Sequence, residues 1–485
     1  GPGTTGTTQP TTGPGGPTTT TTQPGATIAG FSSTAMLTWG TPNDPTKKFT
    51  NRQGADTFPY SQNVGAIAEI GNRVYIGGDF TDMVSPSVPG SQSGQVPSGV
   101  PMAYIAELDN TNGAPVPGSQ FTANVHLDGP VRSLLSSPDG KRLYVGGEFN
   151  HVNGEIHRRL VALDPATGQI DRTFNPPEPS GYVASIVQYG SRLYIGGGFT
   201  TLGGASQMQL AALNVADGSL DTGFVPPAHA LGDFEGHTGK RMDVPTTTTP
   251  YGIVDSLAVT GNGRYLLVGG TFLHFGTDDT TDPDHTHSGL IALDPVTGAM
   301  TTWQPTYGKN SSRPVFGLTV WPGDNNTVFA ASGGGGGRVV AWVPGGQTKP
   351  LWTGNMDGDA DDVAATTNAV YAVGHYDHVV INPDDPCLKI DPSTGGVSCP
   401  AGLPHRHLVA FDPRGELDSN GKNTGKSIII PGFTAQADTS EGPNTAFIGA
   451  SKLYVGGNFS KVYDCPAANG CPFTKQGGFA MYAAQ

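Results

Sequence analysis

No run of apolar residues in this chain is long enough to cross a bilayer, which excludes a membrane-inserted helix. No segment sustains the 3.6-residue periodicity of an amphipathic helix either, so a helical domain is excluded. Charge is scarce. Asp, Glu, Lys and Arg make up 14% of the 485 residues, and the net charge of −14 argues against nucleic acid or an anionic membrane as a partner. The common catalytic signatures are missing: no Gly-x-Ser-x-Gly elbow, no His-Glu-x-x-His, no Gly-rich phosphate loop opening a helix. The glycine run from Gly333 to Gly337 reads as a shortened hairpin. Only four cysteines occur, none with the Cys-x-x-Cys spacing of a zinc site or a redox pair. What the chain has in quantity is turn formers, 72 Gly and 41 Pro, as expected of a β protein with many short strands.

Those turn formers punctuate a repeat. Arg142-Leu143-Tyr144-Val145-Gly146-Gly147-Glu148-Phe149 is followed by Leu160-Val161-Ala162-Leu163-Asp164-Pro165-Ala166-Thr167-Gly168 and then Phe174-Asn175-Pro176. The first phrase returns at Arg73–Phe80, Arg192–Phe199, Tyr265–Phe272 and Lys452–Phe459, with degenerate copies at Val328–Ala331 and Val370–Tyr376. A unit of roughly 40–50 residues recurring in this way marks a propeller, a solenoid or an array. Each unit reads as four short strands. An apolar opening strand such as Val131-Arg132-Ser133-Leu134 precedes the Tyr-Val-Gly-Gly strand, and the Val-Ala-Leu-Asp strand follows it. The Asp-Pro-x-Thr-Gly turn, with Pro presetting φ and Gly accepting a positive φ, then closes a hairpin into a fourth strand that ends in an aromatic residue and Pro. The expected fold is therefore all β: a seven-bladed β-propeller of four-stranded blades. The last unit holds three strands, and Met36-Leu37-Thr38-Trp39-Gly40 looks like an outer strand without a blade, so the ring is expected to close through this N-terminal strand.

The Gly-Gly after an apolar strand resembles kelch-type propellers, and Ala-Leu-Asp-Pro-x-Thr-Gly resembles the turn of quinoprotein-like repeats. The likeness is to repeat propellers of secreted actinobacterial proteins and extends over about residues 34–485. Quinoprotein dehydrogenases also carry a vicinal disulfide and a tryptophan-docking pattern in nearly every blade; this chain has neither, which argues against a quinone cofactor.

Residues 1–28 are almost wholly Thr, Gly, Pro and Gln, a composition that builds a linker or stalk joining other modules, and residues 29–485 form the propeller domain. The cysteines fall into two local pairs, Cys387 with Cys399 and Cys465 with Cys471. Two loop disulfides are the favoured of three connectivities, and they imply a secreted, extracellular or cell-surface setting.

Long insertions fall in the loops between second and third strands and in one crossing between blades, all on the face conventionally called the top. Histidines follow them. His151, His274 and His378 take one equivalent position, and His157, His287 and His405 another. His285, His287, His375 and His378 are candidate ligands for a divalent metal (calcium, zinc or copper), set against the simpler reading that each His serves its own hairpin. The second residue of the opening strands varies as Gly65, Arg132, Ala184, Asp255, Phe316, Asp362 and Thr445, and charges there are expected to face the central channel. Arg132, Asp255, Asp362, His405 and His407 are the candidate ligand-binding residues. Two functions fit. One is a binding propeller presenting its elaborated face to a glycan or an extracellular protein. The other is an extracellular enzyme acting on a polysaccharide or a small polar substrate at the top of the channel, with metal assistance.

Overall fold

The computed structural model describes residues 30–50, 56–61, 63–86, 99–227, 230–231, 253–272, 274–275, 289–303, 305, 313–333, 336–380, 389–390, 397–398, 403–438, 442–465 and 473–485. Among the described residues the one helix is Gln120–Asn124, whose first turn is capped by the Ser119 hydroxyl accepting from Thr122 N. Among the described residues no helix is long and apolar enough to cross a membrane. The expected linker, residues 1–28, lies outside the described residues.

One antiparallel unit recurs: an inner strand, a middle strand and an outer strand. In the first sheet these are Val64–Ile70, Arg73–Gly78 and Ile105–Asp109. The second has Val131–Ser136, Leu143–Gly147 and Leu160–Leu163, and the third Val183–Tyr189, Arg192–Gly197 and Leu210–Asn214. The fourth has Val254–Val259, Leu266–Gly270 and Leu290–Leu293, and the fifth Val315–Val320, Val328–Ser332 and Arg338–Trp342. Ala360–Ala365, Val370–Gly374 and Leu408–Phe411 form the sixth; Gly442–Ile448, Lys452–Asn458 and Phe479–Ala483 form the seventh.

The expected fourth strand is present in full only in the fifth sheet, as Trp352–Met356, among the described residues. Elsewhere it shrinks to a single bridge, as in Leu163 with Ile170, Leu213 with Leu220 and Leu293 with Met300. Proline accounts for this. The chain beyond each bridge runs into Pro176-Pro177, Pro226-Pro227 or Pro305, which donate no ladder hydrogen bond.

Apolar side chains from facing sheets form seven separate cores. Each lies between sheets adjacent in the chain, and the last joins Phe447, Tyr454 and Met481 of the seventh sheet to Val64, Ile67 and Ile76 of the first. The inner strands likewise touch in chain order, and the seventh touches the first. The repeated tyrosine spans these junctions. Tyr75 Oη donates to Pro165 O at 2.8 Å and Tyr194 Oη to Pro295 O at 2.6 Å, so the Asp-Pro turn of one sheet is held by the middle strand of the sheet before it.

The N-terminal segment lies against the last strand. Ser32 N donates to Ala483 O at 2.9 Å and Met36 N to Met481 O at 2.8 Å, while Gly40 and Val84 exchange two backbone bonds with the first sheet's insertion. Phe31 joins the core between the sixth and seventh sheets, and Met36 and Trp39 pack on the core between the seventh and first. The pairing is a series of isolated bridges rather than a continuous strand.

Candidate functional site

Each inner strand opens on a β-bulge. The register slips between Val64 and Ala66, Val131 and Ser133, Val183 and Ser185, Val254 and Ser256, Val315 and Gly317, Ala360 and Asp362, and Pro443 and Thr445. The extra residues are Gly65, Arg132, Ala184, Asp255, Phe316, Asp361 and Asn444. All are half-buried except Asp255, which is 9% exposed, and beside Asp361 and Asn444 the following residues, Asp362 and Thr445, are half-buried too. A bulge re-aims one side chain without disturbing the strand beyond it. Because the inner strands touch one another in turn, these seven positions encircle one end of the set. The middle strands end there too, so the long insertions depart from the same end.

The bulge explains the Gly-Gly pairs. A Cβ on the second glycine would collide with the carbonyl oxygen of the residue before the inner strand: Asn63 for Gly78, Pro130 for Gly147, Tyr182 for Gly197, Ile253 for Gly270. The first glycine makes room for the next sheet. A Cβ at Gly146 would stand 2.9 Å from Val183 Cγ1 and one at Gly269 2.7 Å from Val315 Cγ1, while one at Gly456, in the last sheet, would stand 2.8 Å from Val64 Cγ1 in the first.

Around the mouth the chemistry is mixed and mostly acidic. Arg132 forms an ion pair with Glu148, the residue directly after its own sheet's Gly-Gly, so its charge is already balanced. Asp79 accepts from Asn63 N at 2.9 Å, and Asn444 Nδ2 donates to Asn63 Oδ1 at 3.1 Å, linking the seventh sheet to the first. On the side of the fifth and sixth sheets, a Cβ at Gly333 would lie 2.6 Å from both the Asp359 carboxyl carbon and Phe316 Cε2, so ring and carboxyl flank the same backbone. His375 stands between two carboxylates, with Nε2 4.0 Å from Asp359 and Nδ1 4.0 Å from Asp361.

Two sequence alignments shift by one residue. In the sixth sheet the bulge residue is Asp361, not Asp362, and in the seventh Asn444, not Thr445. Asp362 instead faces the junction with the seventh sheet, where its Oδ2 accepts from Ala446 N at 3.0 Å and from Thr445 Oγ1 at 3.3 Å. Burial outweighs these hydrogen bonds and pushes its pKa up to about 7. Ser185 does the same work between the third and fourth sheets, accepting from Leu257 N at 3.0 Å.

His151 and His378 do take equivalent positions, each opening the short strand that follows the middle strand of its sheet. They are staples. Asp128 accepts from Asn150 N, His151 N and His151 Nδ1 at 2.7, 2.9 and 2.7 Å; Asp357 accepts from Asp377 N, His378 N and His378 Nδ1 at 2.9, 2.8 and 2.7 Å. Ser180 and Asp438 make the same backbone clamp on Thr200–Thr201 and Ser460–Lys461 without a histidine, so the device fixes the loop rather than carrying chemistry. His405 and His407 are 7% and 4% exposed, and burial lowers both pKa values. His407 holds a left-handed φ of 66° with Nδ1 2.9 Å from Gly374 O, which makes it part of the turn rather than of the mouth. His285 and His287 lie outside the described residues, as do Cys387, Cys399 and Cys471. Among the described residues no three His, Cys, Asp or Glu converge as metal ligands, and Cys465 is not a free thiol.

Comparison with known proteins gives a fold without an activity. Residues 137–174 and 191–224, in the second and third sheets, match a family described as a domain of unknown function (DUF5122) beta-propeller. No curated protein matches. Among solved structures the chain is similar to the computationally designed Ika8 protein (10% identity, TM-score 0.39, covering 92% of this chain and 100% of that one). It is also similar to the Dos1 propeller (14% identity, TM-score 0.42, covering 91% and 95%). With its repeated sheets and near absence of helix, the chain is an all-β propeller.

Proposed function

We propose that this chain is a binding propeller that takes a neutral glycan at the bulge-lined mouth. The observation that carries the reading is the contrast between frame and bulge. The Gly-Gly pair recurs in five of the seven sheets, each time making room for the valine that opens the next sheet's inner strand, whereas the bulge residue changes from Gly65 to Arg132, Ala184, Asp255, Phe316, Asp361 and Asn444. A rigid frame with a variable ring at one end suits recognition. Carboxylates at Asp255, Asp361 and Asp359 accept sugar hydroxyls and repel anionic polymers, and the Phe316 ring beside Asp359 offers an apolar platform for the C–H face of a pyranose.

The same proposal includes the finer architecture: seven blades in one ring, closed where the N-terminal segment stands in for the missing outer strand of the seventh. Its support is the equivalence of bridges. Gly40 meets Val84 as Leu127 meets Val152 and Pro179 meets Leu202, each time joining the end of one unit to the insertion of the next. The setting is extracellular, with disulfides Cys387–Cys399 and Cys465–Cys471; alkylation and mass spectrometry finding four free thiols would reject both. A glycan array followed by calorimetry tests the function. Binding of a neutral oligosaccharide that weakens at least tenfold in Phe316→Ala and Asp361→Ala supports it. An array without neutral hits, or hits indifferent to both substitutions, refutes it.

A further inference from the structure

The residue directly after each glycine pair is a second variable position. It is Asp79, Glu148, Gly198, Thr271 or Asn458 where the pair is complete, and Gly333 or His375 in the fifth and sixth sheets, where it is not. The aromatic that follows it, at Phe80, Phe149, Phe199, Phe272, Tyr376 and Phe459, is at most 1% exposed, so a fixed frame flanks a changing residue here as it does at the bulge. The two variable positions meet in space. Glu148 pairs with Arg132, His375 Nδ1 lies 4.0 Å from Asp361, and a Cβ on Gly333 would stand 2.6 Å from the Phe316 ring. Each sheet thus brings two residues to the mouth.

These pairs are unequal around the ring. The third sheet offers no functional group, its pair being Ala184 and Gly198. The second joins its two charges, Arg132 and Glu148, to each other. The fourth keeps Asp255 at 9% exposure and adds the Thr271 hydroxyl. From the fifth sheet to the first the groups run without a break: the Phe316 ring, Asp361 with His375, Asn444, and Asp79. The last two are linked, since Asn444 Nδ2 donates to Asn63 Oδ1 at 3.1 Å and Asn63 N to Asp79 at 2.9 Å. Asn444 is half-buried, and its Oδ1 makes no hydrogen bond. An acceptor left without a donor is costly, and a ligand hydroxyl supplies one.

We infer that the mouth takes its glycan off the axis, as an extended neutral oligosaccharide laid along this arc from Phe316 to Asp79 rather than as a single sugar at the centre. The inference rests on the glycan reading above and adds to it the length and path of the ligand. Sheets packed face to face stand about 10 Å apart, so an arc crossing the junctions from the fifth sheet to the first outreaches a single sugar ring even at half that spacing. The order of groups suits a chain. The Phe316 ring takes the C–H face of a pyranose at one end, while carboxylate, imidazole and amide take hydroxyls along the rest. The return from middle to outer strand is also shortest at the Phe316 end: residues 333–337 in the fifth sheet, against 148–159 in the second and 375–407 in the sixth. Further sugars therefore leave the mouth over the fifth sheet.

Calorimetry on the full chain with neutral cello-, malto-, xylo- and manno-oligosaccharides of one to six sugars tests this path. In a series that binds, affinity should rise at least about tenfold from the disaccharide to the hexasaccharide. Phe316→Ala and Asp79→Ala, at the two ends of the arc, should each weaken the hexasaccharide by about tenfold, whereas the disaccharide, which spans part of the arc, should respond to no more than one of them. Asp79→Thr, the residue at the equivalent position 271, serves if the alanine variant does not fold. Equal affinity for the two lengths, or a disaccharide weakened by both substitutions, places the sugar on the axis and overturns the inference while the glycan reading stands. A hexasaccharide indifferent to both Asp79 variants overturns it as well. Failure of every probe to bind overturns the inference and the glycan reading together.

Discussion

Replacing Phe31 with alanine tests how the N-terminal segment holds the fold together. The Phe31 side chain is 3% exposed and its ring meets Tyr371 of the sixth sheet edge-on, with centroids 5.4 Å apart and planes at 62°. Its backbone is bridged to Ala484, beyond the last strand, so one residue ties the segment to the sixth and seventh sheets together. Truncating a buried phenylalanine costs about 3–5 kcal/mol, the lost transfer energy plus the cavity left behind. Of that, about 0.5–1.5 kcal/mol belongs to the aromatic pair. The ring lies between sheets rather than in a loop, so little collapse fills the hole, and the cost should fall in the upper part of that range. Urea unfolding followed by tryptophan fluorescence measures it. Deleting residues 1–29 is the control and should change the midpoint by no more than about 0.5 kcal/mol. A loss below about 1 kcal/mol for Phe31→Ala, or equal losses for substitution and deletion, would refute the reasoning.

Three further outcomes follow from the geometry. Gly147→Ala should destabilise more than Gly146→Ala, because the first forces a Cβ into the Pro130 carbonyl and the second meets only side-chain carbons and the Ser133 hydroxyl, which yield for about 1–3 kcal/mol; equal denaturation midpoints would count against the bulge explanation. His407, kept neutral by burial, leaves the folded chain with fewer bound protons than the unfolded chain below about pH 6.5, so its contribution to stability falls as pH falls. His407→Asn, which tolerates the left-handed backbone, should flatten the decline in urea midpoint between pH 6.5 and 5, and an unchanged slope would contradict this. Asp128→Ala should expose the His151–Val152 turn to proteolysis with little change in melting temperature, since it removes three bonds to one loop; unaltered cleavage would sink the staple reading.

The parts of this structure that were legible in the sequence are those fixed by local chemistry. Tyr-Val-Gly-Gly and Asp-Pro-x-Thr-Gly announce a strand and a turn by their own composition, and Gly168 and Gly298 do adopt φ of 70° and 78°. The partner of the repeated tyrosine was not legible, because Tyr75 and Pro165 are 90 residues apart. Nor were the acceptors of His151 and His378, since Asp128 and Asp357 lie 23 and 21 residues upstream in the preceding crossing. The bulge left no composition signal, and any residue from Gly65 to Phe316 occupies it. In Asp359-Ala360-Asp361-Asp362 and Pro443-Asn444-Thr445, where the usual valine is replaced, the register therefore slipped by one. That slip moved Asp362 from the channel, where the sequence put it, to a junction.

The central claim is that the bulge-lined end is the working surface and the hairpin end is scaffold. Calorimetry with an oligosaccharide selected on the array, run in parallel on Asp361→Ala, Asn444→Ala, Thr167→Ala and Thr297→Ala, tests it most directly. Thr167 and Thr297 sit in the turns at the opposite end, the first half-buried and the second exposed, their amides donating to Asp164 and Asp294. The account predicts at least a tenfold loss of affinity, about 1.4 kcal/mol, in the two mouth variants and no change in the two turn variants. Full affinity in the mouth variants with loss in the turn variants would contradict it.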